Sequence, residues 1–481
     1  MTPKMYLDIG VKLVMQGDLE RAMMSFCQAI ELNPKYSPAY NNLGLVLRNT
    51  NRLNEAEACF RRAIELSPDD PYAYNNLGLV LMDLDYLGKA EDCFRHAIEL
   101  SPHQPEFYNN LGTVLEENSC LAEAKVAYCR AIKLDPYYPE AYYNMGGFLR
   151  LTKHLDEAES YLRRAIELRP DYLEAELSLS LLYFLRGNFE KSWGNYEKSR
   201  QKRCEAKQLG IPIWRGEDLT TCSILLFWEY GFGDTMQFAR YVQKIEKLAA
   251  KTSLWVQKPL QRLLESASPY LTVYTGDCPP QGQFDFACSF LSLPVLFNTT
   301  SETIPQTLPY RLASCEASTN WNETLRNRDK GNTYRVGVVW AGHPKHLDDR
   351  RRSIAFDAFQ QLFSISNVSW VSLQVGLRAE ELMGTPYKVM DFSKDLVDFM
   401  ETAKLIETLD LVITVDSAVA HLAGTMGKKT WVLLSYDSDW RWQLKRADSP
   451  WYSTIRLFRQ RKLNDWQEVL ERVKTALEQR L

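Results

Sequence analysis

The chain has 481 residues, more than one hydrophobic core normally serves, so two or three domains are expected. Its 57 Lys and Arg nearly balance its 61 Asp and Glu, which argues against the basic field of a nucleic-acid-binding protein. The first residues lack the apolar stretch of a signal peptide, and no segment has the roughly 18 uninterrupted apolar residues of a membrane span. We therefore predict a cytoplasmic protein with no membrane span.

The N-terminal part repeats itself with a period of 34 residues. The motif Asn-Asn-Leu-Gly begins at Asn41, Asn75 and Asn109. Small residues and prolines keep the same step, at Gly44, Gly78, Gly112 and Gly146, at Ala22, Ala56, Ala90, Ala124 and Ala158, and at Pro34, Pro68, Pro102, Pro136 and Pro170. This helix-turn-helix pattern is typical of tetratricopeptide repeats, in which small residues let paired helices approach. We predict a solenoid over residues 1–207, with five repeats and a degenerate sixth.

One asparagine occupies an equivalent position on the first helix of four successive repeats: Asn42, Asn76, Asn110 and Asn144. First helices line the concave face of such a solenoid, and an amide offers both a donor and an acceptor to a peptide backbone. These residues therefore predict a binding groove for an acceptor protein or peptide. The alternative is that each asparagine only tolerates its helix position or pairs with a neighbouring repeat.

After residue 207 the pattern changes to alternating strands and helices. Nine apolar, β-rich runs lie at residues 223–229, 253–257, 271–276, 284–290, 335–341, 368–374, 387–392, 409–415 and 429–435. Helical stretches such as 235–250 and 356–363 separate them, which predicts parallel sheets with crossover helices. A polar stretch near 312–333 divides the region into two Rossmann-like lobes, residues 208–332 and 333–481. The fold class is thus α + α/β, and the last helix, about 464–481, is long enough to brace one lobe against the other.

A strand-to-helix turn in the first lobe carries Gly231, Gly233 and Asp234. The glycines permit a tight backbone, and Asp234 precedes a helix predicted to begin at Thr235. An aspartate in this position caps the helix in many proteins. The functional interpretation is a general base at the mouth of the cleft, acting on an acceptor hydroxyl.

The second lobe has a matching turn, in which Asp416 and Ser417 open the helix that carries His421. The amides of this turn, the Ser417 hydroxyl and the His421 ring form a site suited to a phosphate or diphosphate. The alternative for His421 is a histidine packed in the core.

Cationic residues follow the first strand of the second lobe. We expect Lys345, Arg350 and Arg352 to neutralise phosphate charge at the cleft, although a charge run is more commonly solvated. Gln374 follows the next strand and is expected to touch a base or sugar, as are the tryptophans at 440 and 442, for which core packing is the alternative. No metal is expected, because His343 and His346 lack a third ligand.

Several of these motifs resemble known families. The asparagine register resembles that of eukaryotic O-linked N-acetylglucosamine transferases. Gly233-Asp234 and Asp416, Ser417, His421, Leu422 and Ala423 resemble turns of bacterial lipopolysaccharide heptosyltransferases, except that Ala418 replaces a glycine beside the expected diphosphate. The stretches "VGVVWAGHPKHLDDRRRS", "DFMETAKLIETLDLVITVDSAVAHLAG" and "DWRWQLKRADSPWY" resemble bacterial tetratricopeptide-glycosyltransferase fusions, including flagellin-modifying ones.

The resemblance implies a GT-B glycosyltransferase with a nucleotide-sugar bound by the C-terminal lobe at Lys345, Arg350, Arg352, Gln374, Asp416, Ser417, Ala418 and His421. Asp234 would act as base in an inverting, metal-independent transfer to a protein, at a Ser or Thr hydroxyl of a flagellin-like acceptor. The nucleotide-sugar is a co-substrate, no further cofactor is expected, and homo-oligomerisation is left open. Two alternatives remain: an inactive peptide-binding scaffold, and a glycosyltransferase acting on a glycan or lipid.

Overall fold

The structure is a computed structural model that describes residues 1–204, 209–305, 320–328, 334–344, 346 and 349–481. The chain divides into two compact units, Met1–Leu179 and Ser180–Leu481. The predicted domain limits at residues 207 and 332 remain predictions. No helix in the described ranges has the length and apolarity needed to cross a bilayer.

The first unit consists of antiparallel helix pairs. Ten helices, α1 to α10, span Pro3–Met15, Leu19–Leu32, Ser37–Asn49, Leu53–Leu66, Pro71–Asp83, Leu87–Leu100, Pro105–Glu117, Leu121–Leu134, Pro139–Leu151 and Leu155–Leu168. Each second helix ends two residues before one of the periodic prolines, which have no N–H to continue the helix. Helix α11, Leu173–Leu185, continues the series, and α12, Phe189–Cys204, follows it.

The constant glycine position within each pair has a steric cause. A Cβ built on Gly44 would lie 2.7 Å from the Phe60 ring, and one on Gly112 would lie 2.6 Å from the Tyr128 ring. Such distances are too short for a real side chain, so glycine is required where the two helices cross. The predicted tetratricopeptide architecture is confirmed.

The second unit contains two parallel sheets. The first sheet has strands β1 to β4, Ser223–Phe227, Lys251–Val256, Thr272–Thr275 and Phe286–Ser289, in the order β3-β2-β1-β4. The second has β5 to β10, Tyr334–Val339, Val368–Ser372, Val389–Asp391, Leu411–Val415, Thr430–Leu434 and Ile455–Arg459, in the order β10-β9-β8-β5-β6-β7. All pairings between these strands are parallel, as predicted. We call the sheets and their helices the first and second lobes.

Helices α13 to α22 cover the sheets at Phe232–Phe238, Val242–Glu246, Gln261–Glu265, Leu293–Leu296, Trp321–Arg328, Asp349–Arg352, Phe356–Phe359, Phe399–Glu407, Ala418–Thr425 and Trp466–Glu478. The helix predicted from Thr235 to 250 begins earlier, at Phe232, and is interrupted by a 3-10 turn at Ala239–Tyr241. The earlier start follows from Gly231, whose extended backbone forms the N-cap.

The second lobe has a continuous apolar core beneath its sheet. Strand residues such as Val338, Ile413 and Leu433 pack there with the last helix, whose buried face is formed by Val469, Leu470, Val473 and Leu477. Helix α22 is therefore part of the second lobe's core. Its predicted bracing of the first lobe stays a prediction.

Candidate functional site

The two predicted turns meet. Gly233 lies in the first turn of α13, directly after β1, and His421 lies in α21, directly after β8. A Cβ built on Gly233 would be 2.8 Å from His421 Cδ2 and 3.4 Å from Nε2. Because only glycine permits this approach, the contact brings the Asp234 turn of the first lobe against the Asp416 helix of the second.

Asp234 takes part in both a helix cap and an ion pair. Its Oδ2 accepts a hydrogen bond from the Gly231 amide at 3.0 Å, so the carboxylate caps α13 from its third position. Its Oδ1 is paired with Arg441 Nη2, a residue of the second lobe. The side chain keeps 23% of its surface exposed, so solvent and small molecules can reach it.

Arg441 is anchored by several groups at once. Its Nη1 donates to both oxygens of Asp439 at 3.0 Å, and its Nε donates to Gln237 Oε1 at 2.5 Å. Burial disfavours the charged guanidinium, but Asp439 and Asp234 outweigh that cost and raise the pKa of Arg441. Arg441 is therefore a fixed cation between the two turns.

Asp416 precedes the N-cap residue of α21 and is only partly exposed. Burial, and then the negative charge of Asp439, raise the pKa of Asp416 to about 6. The Trp442 indole and the guanidiniums of Arg352 and Arg441 act in the opposite direction. The carboxyl group thus titrates close to neutral pH, within reach of two cations.

Ser417 is the N-cap of α21, but its side chain makes no cap hydrogen bond; its Oγ lies 2.9 Å from Thr414 Oγ1 instead. Ser417 and Ala418 are both partly exposed. A helix start without a side-chain cap leaves its amide donors to water or a ligand, and the helix dipole favours a negative charge there. The turn predicted to hold a phosphate therefore opens to the surface.

His421 is buried, with 6% of its surface exposed. Its Nδ1 lies 2.8 Å from the Tyr452 hydroxyl, and its ring stacks on Trp442 at a centroid distance of 5.5 Å. Burial and the charges of Arg441, Arg240 and Arg352 lower the pKa of His421 well below its ordinary value. The imidazole is neutral at pH 7 and can offer a hydrogen bond but no charge.

The other residues that were predicted to bind the nucleotide-sugar differ in their exposure and contacts. Arg352 is partly buried and lies so close to Gly342 that a Cβ there would be 2.6 Å from its Nη2. Arg350 is exposed on the same short helix, and Lys345 lies outside the described residues. Gln374 is buried, and its Oε1 accepts from the Ala341 amide at 3.1 Å, so it supports the loop after β5.

Sequence reasoning did not single out Arg441 or Arg240. Arg240 is 4% exposed, and its Nη1 donates to the carbonyls of Pro305 and Trp451. Within the described part of the chain, no carboxylate lies within ion-pair distance of this guanidinium. Arg441 could have been recognised in the sequence by its position between Trp440 and Trp442. Both tryptophans are buried, which supports the core-packing alternative for them.

A second set of contacts joins the two lobes. Arg262 of α15 donates to Asp398 Oδ2 at 2.9 Å and to Glu401 Oε1 at 3.0 Å, both at the start of α20. Phe232 and Phe399 pack with their centroids 5.2 Å apart. The two lobes are thus linked by charged and aromatic contacts as well as by the turns.

In the first unit, we call the equivalent residues Asn42, Asn76, Asn110 and Asn144 the asparagine ladder. Three of the four form hydrogen bonds between repeats. Nδ2 of three ladder residues donates to the asparagine that begins the motif in the preceding repeat: Asn76 to Asn41 at 3.1 Å, Asn110 to Asn75 at 2.8 Å and Asn144 to Asn109 at 2.9 Å. Asn42 Nδ2 donates to the Pro38 carbonyl of its own helix. Three of the four ladder amides therefore bond to a neighbouring repeat, which is the alternative interpretation of these residues.

Known families match both parts of the chain. Models of the tetratricopeptide repeat match residues 3–36, 28–58, 46–85, 71–104, 93–126 and 139–172. Glycosyltransferase family 9 (heptosyltransferase) matches residues 396–469. The chain thus combines tetratricopeptide repeats with a C-terminal segment similar to glycosyltransferase family 9. Asp416, His421 and Arg441 all lie inside the segment that matches this glycosyltransferase family.

Individual relatives are more distant. Protein FlbA of Caulobacter vibrioides is 25% identical over 320 residues, which cover 60% of this chain and 52% of the relative. The chain thus spans about half the length of that relative. Among solved structures, the chain is 26% identical to YrrB, which is described as a TPR protein with an unusual peptide-binding site. The match covers 35% of this chain and 88% of YrrB, with a TM-score of 0.29. TTC0263, a thermophilic TPR protein of Thermus thermophilus, is 20% identical over 38% of this chain and 98% of its own, with a TM-score of 0.35.

Proposed function

We propose that the protein is an inverting, metal-independent glycosyltransferase that transfers a sugar from a nucleotide-sugar to a Ser or Thr hydroxyl of a protein. The observation that carries this proposal is the contact between Gly233 and His421. Asp234, a partly exposed carboxylate, is the residue after Gly233, and His421 belongs to the helix whose start at Ser417 lacks a side-chain cap; both facts support the proposal. A base and an anion site on opposite sides of one cleft are what such a transfer requires.

In the proposed reaction, the acceptor hydroxyl oxygen attacks the anomeric carbon of the donor sugar. The bond from that carbon to the nucleotide's phosphate oxygen breaks, and its electron pair stays on the leaving diphosphate. Asp234 takes the hydroxyl proton, since each of its oxygens accepts from one described group and so retains a lone pair. The α21 amides, Ser417 and the cations Arg352 and Arg441 would stabilise the negative charge of the diphosphate. Neutral His421 would contribute a hydrogen bond.

The solenoid is proposed to hold the acceptor polypeptide. The ladder's amide donors are used between repeats or within a helix, whereas in the described residues no group donates to Oδ1 of Asn42, Asn76, Asn110 or Asn144. These oxygens can accept hydrogen bonds from the backbone of an extended peptide. The ladder would therefore act as a row of acceptors.

The first experiment is a screen of nucleotide-diphosphate-sugars for hydrolysis and for transfer to protein, followed by mass spectrometry, with and without a chelator. We expect turnover of at least one donor, unaffected by the chelator and lost in Asp234→Asn. The control is Asp448→Asn, which changes an exposed aspartate paired with Arg446. Full activity of Asp234→Asn would remove Asp234 as base, and no turnover of any donor would favour the scaffold alternative.

A further inference from the structure

The inference concerns the partners of Arg441 and rests on the proposed function. Its Nη1 and Nε are held by Asp439 and Gln237, whereas Nη2 is turned toward Asp234. Asp439 therefore serves as the anchor of the guanidinium. Asp234 contacts the remaining nitrogen, Nη2. Another anion can take its place there while Asp439 and Gln237 still hold the guanidinium.

Three guanidiniums lie near His421, and two of them also have carboxylate partners: Arg441 pairs with Asp439 and Asp234, and Arg352 with Asp349. The guanidiniums of Arg441, Arg240 and Arg352 all act on its ring, and the contacts of Arg240 among the described residues are with carbonyls and aromatic rings. Arg352 and Arg441 also both act on Asp416, which precedes the N-cap residue of α21. A dianion seated at this helix start would therefore lie within the field of both cations.

We propose that a diphosphate competes with Asp234 for Nη2 of Arg441, so that donor binding releases Asp234 from its ion pair. A carboxylate bound to a guanidinium is a poor proton acceptor, because protonation would sacrifice the pairing energy. Once a diphosphate takes the Nη2 position, Asp234 keeps its bond from the Gly231 amide and gains a free oxygen. The base would thus become competent only when the donor's diphosphate is in place.

The test measures the affinity of the full chain for inorganic pyrophosphate by titration calorimetry at fixed ionic strength. Asp234→Asn removes the competing charge while its amide oxygen can still accept from Gly231. We expect this variant to bind pyrophosphate at least threefold more tightly than the unchanged protein. Arg441→Gln should weaken binding by about tenfold or more, because a charge-assisted hydrogen bond is lost.

Matched controls come from the Arg446 and Asp448 pair, which lies in the same loop and has an exposed aspartate. Arg446→Gln and Asp448→Asn should leave pyrophosphate affinity unchanged. Unchanged or weaker binding by Asp234→Asn would overturn the proposal, as would absence of pyrophosphate binding in both this variant and the unchanged protein.

The transfer assay separates this inference from the proposed function. If Asp234→Asn binds pyrophosphate more tightly and still transfers sugar, the competition stands and the base assignment fails. If it loses transfer but its pyrophosphate affinity does not change, the base assignment stands and the competition fails.

Discussion

Gly233 of the first lobe lies against His421 of the second, and this approach brings together the two strand-to-helix turns of the second unit. A Cβ on Gly233 would come within 2.8 Å of the imidazole Cδ2. The ring cannot move away freely, since Trp442 stacks on it and Tyr452 holds its Nδ1. The position of Asp234, one residue later, depends on this contact.

Replacing Gly233 by alanine should therefore destabilise the second unit. We expect a loss of about 1–3 kcal/mol in the free energy of unfolding, the usual cost of overpacking a filled core. Thermal unfolding of the full chain, combined with hydrogen exchange of the α13 and α21 amides, measures both the size and the location of the effect.

Gly194 provides the matched control for this change. It lies within α12, is exposed, and has nothing within 4 Å of a built Cβ. Gly194→Ala should stabilise the chain by up to about 1 kcal/mol, because alanine favours a helix. Equal effects of the two substitutions would show that the His421 contact does not constrain residue 233.

The sequence predicted the repeats and nine of the ten strands because both depend on local periodicity. Strand β10, Ile455–Arg459, was missed because it is an edge strand that bonds to a neighbour on one side and carries Arg456 exposed. Charged residues of this kind interrupt the apolar run by which a buried strand is recognised.

The site was predictable only in part. The turns at Asp234 and Asp416 each follow a parallel strand, so the order of elements places each of them at the carboxyl edge of its own sheet. Arg441 is 207 residues from Asp234 in sequence, and its pairing depends on how one loop folds. Which acceptor each ladder asparagine donates to likewise depends on how the repeats stack, and the periodic sequence does not determine that stacking.

Alanine substitutions at different positions of the asparagine ladder should have unequal effects on stability. Asn110→Ala would remove the donor to Asn75 Oδ1, and Asn75 is fully buried. An unsatisfied buried acceptor costs about 1–3 kcal/mol. Hydrogen exchange of the helices α5 and α7 should therefore become faster in Asn110→Ala.

Asn42→Ala is the corresponding control, since Asn42 is partly exposed and donates within its own helix. Its effect on exchange should stay within about 0.5 kcal/mol. This variant is also the better test of peptide binding, because it removes a ladder oxygen without disturbing the contact between repeats. If both variants exchange equally, the inter-repeat hydrogen bond makes no net contribution.

The raised pKa of Asp416 predicts a pH-dependent stability difference. Its ordinary value is 3.8 and its folded value is about 6, so the ionised form is disfavoured in the folded state. The penalty is absent below about pH 4, grows between pH 4 and 6, and is complete above pH 6. Asp416→Asn should thus be more stable than the unchanged chain at pH 7, by an amount on the order of 1–2 kcal/mol.

Urea unfolding of both proteins between pH 4 and 7.5 measures this difference, and groups that they share cancel in the comparison. The advantage of Asp416→Asn should shrink as the pH falls through 6 and vanish near 4. Asp448→Asn supplies a contrast, since its hydrogen bond from Arg446 lowers the pKa of Asp448, so this change should be slightly destabilising at pH 7. An advantage of Asp416→Asn that stayed constant with pH would mean that the Asp416 carboxyl group does not titrate in this range.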